Sequence, residues 1–121
     1  MDTMVERYRQ ILTDRQADRS ELAFADRLER LRGGEEVAGR EISGSYLLPV
    51  LELVESLPRL PQTLSIVDAI EAANVALVDA IQSFDGSTSD EFWHHARRTI
   101  LAWLDTIDEL QGMPDGQEDA R

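Results

Sequence analysis

Neither cysteine nor lysine occurs anywhere in the 121 residues. Without cysteine there are no disulfides, no thiolate metal sites and no cysteine nucleophile. Without lysine, Schiff-base chemistry and the phosphate-binding lysine of a P-loop are both excluded. Histidine is scarce, at two residues, which is thin material for a metal centre. No apolar run approaches the ~20 residues that a membrane span needs. The first ten residues, MDTMVERYRQ, have neither the basic nor the apolar region of a secretory signal. A cytoplasmic protein is the expectation.

All 12 basic residues are arginine, against 24 acids, for a net charge of −12. Arginine-only usage fits a bacterial protein from a GC-rich genome or a salt-rich habitat. The charge is unevenly spread: residues 1–40 sum to −1 with eight arginines, whereas residues 41–96 sum to −8 with Arg59 alone. A field of that sign repels nucleic-acid backbones and anionic bilayers. Neither nucleic acid nor membrane is an expected partner.

The length suits one domain, which can bury about two-thirds of its surface. Its hydrophobic pattern is helical throughout, without strand alternation. Thr88 and Glu91 form a capping box, and a helix follows with Phe92, Ala96, Ile100, Trp103, Ile107 and Leu110 as its stripe, ending before Gly112 and Pro114. Before it, residues 62–84 form a helix on which Val67, Ile70, Asn74, Leu77, Ile81 and Phe84 repeat at three-four spacing. Ala69, Ala73, Ala76 and Ala80 occupy an adjoining face. So wide an apolar arc marks the central helix of a bundle.

Residues 45–57 read as a shorter helix, capped by Ser45 or starting at Pro49, with PRLP linking it to its neighbour. In the N-terminal third, Met4, Tyr8, Ile11 and Leu12 face nearly opposite to Phe24, Leu28 and Leu31 at 100° per residue, so a break falls near residues 14–20. Asp18 with Glu21 resembles a capping box, and Ser20 is a second cap. Gly33–Gly34 ends the second piece, and the glycine-rich residues 34–44 read as a loop. The expectation is all-α: a compact bundle of four to five helices over residues 1–112, completed by dimerisation, with an acidic, disordered tail over 113–121.

Two constellations invite chemistry. Glu91, His94 and His95 contain the Glu-x-x-His unit of dinuclear carboxylate bundles. Glu91 and His94 fall about 150° from the centre of their helix's apolar stripe, and His95 about 110°. That architecture needs inward-facing ligands and two such units, so no metal is assigned here. Glu52 with Glu55, then Asp68 with Glu71, resemble the paired acids of all-helical nucleotide pyrophosphohydrolases of the MazG type. The resemblance spans about twenty residues and implies magnesium-dependent release of pyrophosphate. It departs from that family in its second step, D-x-x-E rather than E-x-x-D, and in having no lysine to hold phosphates.

The serines gather at caps and turns, and no catalytic residue or cofactor is assigned. The expected function is protein–protein interaction, as a self-associating adaptor, regulator or accessory subunit. The interaction residues are Asn74, Leu77 and Ile81 on the central seam, together with Trp93 at a stripe edge. The competing expectations are an acidic mimic of nucleic acid that occupies a basic partner's site, and the MazG-like hydrolase.

Overall fold

The computed structural model describes residues 3–58 and 64–111, with side chains through 107. Among the described residues six helices follow one another: α1 (Thr3–Asp14), α2 (Glu21–Arg32), α3 (Glu36–Ser45), α4 (Leu47–Ser56), α5 (Ile66–Ser83) and α6 (Ser89–Gln111). No strand occurs among the described residues. The acidic tail and the centre of the α4–α5 link lie outside them. The fold is an all-helical bundle, and α5 is its hub, packing on α6, α4 and α3. Beside it, α2 packs on α3 and α6, and α1 leans on α4.

On α5 the face that packs most tightly is the alanine row. Ala69, Ala73, Ala76 and Ala80 are fully buried, as is Leu77, and their small side chains let neighbouring helices approach closely. Val67 and Asn74 are only partly covered. On α6 the seam runs through Phe92, Ala96, Ile100 and Leu104, all buried. Residues four apart form a row inclined to the helix axis, which a neighbour crossing obliquely follows. Trp103, expected in the stripe, is therefore rotated outward and exposed; Leu110 lies beyond the described side chains.

The break after α1 is present, since residues 15–20 are not helical. Ser20 is the N-cap of α2: its Oγ accepts from the Ala23 N–H at 3.2 Å. Asp18 holds that cap from outside, accepting from the Ser20 N–H at 2.8 Å. The Asp18–Glu21 capping box does not form. Glu21 instead accepts from the Ser89 N–H at 3.1 Å and the Ser89 hydroxyl at 2.7 Å, tying the start of α2 to the start of α6. The buried face of α1 also differs from the expectation: Val5 is the anchor, flanked by Tyr8 and Leu12, while Met4 and Ile11 are exposed.

The sixth helix is the segment expected to be a loop. Two glycines cost an isolated helix about 1 kcal/mol each, but α3 does not stand alone. Ala38, Ile42 and Ser45 lie on one face, at spacings of four and three, and all are buried. Burial of that face offsets the low propensity. Arg30 fastens the same segment to α2, with Nη1 2.5 Å from Glu35, Nη2 2.5 Å from Glu41 and Nε 3.0 Å from Asp26 of its own helix. These hydrogen bonds, with Glu41 foremost, raise the pKa of the guanidinium above its ordinary value.

Ser45 consequently belongs to α3 and donates to the Ile42 carbonyl at 2.8 Å, rather than capping α4. Tyr46 is the shared hinge residue, closing α3 and opening α4 with φ −111° and ψ 5°. Its ring belongs to an aromatic cluster at one end of the bundle. It meets Phe92 edge-on at 5.0 Å and stacks on Trp93 at 5.7 Å, while Phe92 contacts Phe84 at 5.3 Å and Phe24 at 5.5 Å. Burial pushes the Tyr46 phenol pKa upward. The chain turns tightly around this cluster: a Cβ on Gly86 would lie 2.8 Å from the Phe84 ring, so only glycine fits without a shift.

Candidate functional site

The residues around DEFWHHARR have structural work. Glu91 Oε1 accepts from the Ser87 and Thr88 N–H groups, each at 3.0 Å, and Thr88 Oγ1 accepts from the Glu91 N–H at 3.1 Å. The capping box is thus formed reciprocally. The backbone donors of Ser87 and Thr88 hold the Glu91 carboxyl pKa below its ordinary range. His95 Nε2 lies 2.9 Å from Ser83 Oγ, and its ring meets Phe84 at 5.9 Å. His94 points to solvent. Among the described residues, no three His, Cys, Asp or Glu side chains converge as metal ligands.

The paired acids are also dispersed. Glu55 is engaged by Arg9 of α1, whose pKa rises chiefly through that hydrogen bond. Glu52 borders a shallow polar depression with Arg19, Trp93 and Arg97. Asp68 lies in the first turn of α5, where Ser65 Oγ accepts from its N–H at 3.1 Å. Glu71 borders a small groove between α1 and α5.

The four expected interaction residues fall in three places. Leu77 and Ile81 are buried inside the chain's own core. Trp93 is half-buried, its ring committed to Tyr46. Asn74 is partly exposed and faces α1: its Nδ2 donates to the Tyr8 hydroxyl at 3.3 Å, and its buried Oδ1 has no hydrogen-bond partner.

A second, exposed face lies beside that seam. Val78, next to Leu77, is 45 % exposed, and Val75, one turn earlier, is 53 % exposed. Val78 and Ile81 form one wall of a groove of about 760 Å³ between α2, α3 and α5. Leu28, Leu31, Leu47 and Phe84 line its apolar interior, and α3 contributes Gly39, Ser43 and Gly44. A side chain added at Gly44 would meet nothing within 4 Å, so the backbone of α3 is open to close approach.

The rim is charged. Arg32 donates to the Phe84 and Gly86 carbonyls at 3.3 and 2.7 Å, and its guanidinium lies 5.8 Å from the Phe84 ring centre. Glu36 and Arg40 stand one helical turn apart on α3, and among the described residues neither has an ion-pair partner. A signal for this face existed in the sequence. Gly39, Ser43 and Gly44 with Glu36 and Arg40 follow helical spacing once residues 36–45 are read as a helix.

No helix among the described residues is long and apolar enough to cross a membrane. Comparison with protein-family models, with curated proteins and with solved structures found no match to this chain.

Proposed function

We propose that this chain acts through protein–protein interaction, and that its primary partner is a second copy bound through the α3–α5 face. The role is that of a self-associating adaptor, regulator or accessory subunit with no reaction of its own. One observation carries the reading: the open apolar groove bounded by α3 and Val78 has a rim that complements itself. A two-fold axis that sets α3 antiparallel to the partner's α3 brings Glu36 opposite Arg40 twice. Isologous interfaces require this kind of self-complementarity. Gly44, where an added side chain would meet nothing, lets the two backbones draw near, and the exposed Val78 supplies apolar area inside a charged rim. The pair also relieves a specific cost, because two chains of net charge −12 repel each other.

The experiment is sedimentation velocity or multi-angle light scattering over a hundredfold range of concentration. Wild-type protein should show a monomer–dimer equilibrium. Val78→Glu should give monomer throughout. Arg40→Glu should weaken the dimer, and the exchange Glu36→Arg with Arg40→Glu should restore it. A wild-type chain that stays monomeric at all concentrations overturns the reading, as does a dimer indifferent to these substitutions.

A further inference from the structure

The shallow depression bordered by Glu52 lies between α4, α6 and the connection that joins α1 to α2, and measures about 370 Å³. Pro49, Glu52, Leu53 and Ser56 share one stripe of α4, at spacings of three, one and three. Trp93 and Arg97 stand one turn apart on α6, and Arg19 borders the space from residues 15–20. Pro49 and Leu53 are buried and make the floor with Trp93. The Trp93 ring is stacked on Tyr46, which fixes its position. Burial raises the Tyr46 phenol pKa and the Arg19 charge opposes that rise, so this guanidinium stands beside the Tyr46–Trp93 stack.

The polar groups divide by chemistry. Arg19 and Arg97 can only donate. On the α4 side, the ionised Glu52 carboxylate can only accept. Ser56 has committed its proton, because its Oγ donates to the Leu53 carbonyl at 2.7 Å; what it offers the depression is lone pairs. One wall therefore donates and the other accepts, with an apolar floor between them. Acids outnumber arginines 24 to 12, and Arg9, Arg27 and Arg30 all stand within ion-pair distance of carboxylates. Among the described residues, Arg19, Arg97 and Glu52 make no ion pair, either with one another or with any other group. Two cations and one anion thus border a single space without neutralising each other.

The complement of that arrangement is a small molecule with two anionic groups and one cationic group. Each guanidinium presents a fork that matches a carboxylate, and an ammonium supplies the donors that Glu52 and Ser56 Oγ can accept. We infer that this depression binds a free dicarboxylic α-amino acid, its carboxylates on Arg19 and Arg97, its ammonium on Glu52 and Ser56, and its methylenes over Leu53 and Trp93. The inference does not depend on self-association, because none of these residues lines the α3–α5 groove. Such a ligand bridges three elements and would hold the α1–α2 connection against α4 and α6.

The test uses L-glutamate and three relatives that each lack one feature: glutarate without the ammonium, glutamine without the second carboxylate, and the α-amide of glutamate without the free α-carboxylate. Trp103→Phe, a change at an exposed residue, leaves Trp93 as the one indole; its fluorescence and its indole N–H shift in NMR report on the site. Glutamate should bind saturably at millimolar concentration or below, and each relative should bind at least about tenfold more weakly, the difference that one charge-assisted hydrogen bond supplies. Arg19→Gln and Arg97→Gln should each weaken glutamate by a similar factor. Glu52→Gln should weaken glutamate and strengthen glutarate, closing the gap between them. All three charged residues are exposed, so thermal melts of these variants should match wild type, which separates lost binding from lost structure. Glutarate binding as tightly as glutamate overturns the inference, since the arginines would then act alone on any dianion. Equal binding of the α-amide also overturns it, because the site would then take the amino end of an acidic peptide. So does a Trp93 signal that stays unchanged at millimolar glutamate, or one indifferent to all three substitutions.

Discussion

Leu77 and Val78 are adjacent in the chain and should respond oppositely to substitution. Leu77 is fully buried among the α5 alanines and their neighbours, whereas Val78 is 45 % exposed. Leu77→Ala deletes three carbons. Their transfer free energy is about 2.4 kcal/mol at ~0.8 kcal/mol per carbon. The cavity left in a packed core adds to this, for a loss of about 3–4 kcal/mol. For a chain of this size each kcal/mol shifts Tm by roughly 3–6 °C, so Tm should fall by about 10–20 °C. In urea, with a slope near ~2 kcal/mol per molar, the midpoint should drop by about 1.5–2 M. Both shifts should be the same at low and high protein concentration, because Leu77 packs against side chains of its own chain. Val78→Glu should change monomer stability by no more than about 0.5 kcal/mol yet abolish the dimer. The reasoning fails if the Leu77→Ala penalty grows with protein concentration or stays below about 1 kcal/mol. Either result would place Leu77 at a subunit seam rather than in the core.

Three further outcomes are expected. Gly34 has φ +101°, a conformation that costs an L-residue about 1–2 kcal/mol, so Gly34→Ala should lower stability by about that amount in urea unfolding. Glu91, whose carboxyl pKa is depressed by the Ser87 and Thr88 N–H groups, contributes stability above the ordinary carboxylate range and loses it as pH falls through its folded value. Stability measured against pH should therefore decline less steeply on the acid side in Glu91→Gln, from a lower neutral plateau. Arg30 joins Asp26, Glu35 and Glu41; Arg30→Met should increase amide exchange in α3 selectively, and the wild-type protection there should weaken with added salt.

Much of the bundle was legible in local signals. The Thr88–Glu91 box, the Ser20 cap, the Gly33–Gly34 stop and the break at residues 14–20 all rest on backbone chemistry within a few residues. The centrality of α5 followed from the breadth of its apolar arc. Two readings failed because a distant neighbour decided them. Residues 36–45 have poor intrinsic helicity, and only the α2–α5 surface beneath Ala38 and Ile42, with Arg30 across from Glu35 and Glu41, makes them a helix. Glu21 had a local partner in its capping motif and took Ser89, 68 residues away.

The site follows the same division. Composition alone removed thiol and lysine chemistry, and helical phase alone set Glu91 and His94 away from their helix's apolar stripe. Which residues of α5 stay exposed was a tertiary matter. Periodicity cannot tell a seam buried within one chain from a seam between two, since both present the same three-four spacing. Packing against α6 and α4 covers Leu77 and the alanine row, while Val75 and Val78 stay exposed. The chain's own pattern determined that helices form and which of their residues are apolar; the angles at which neighbours cross decided which of those residues are covered.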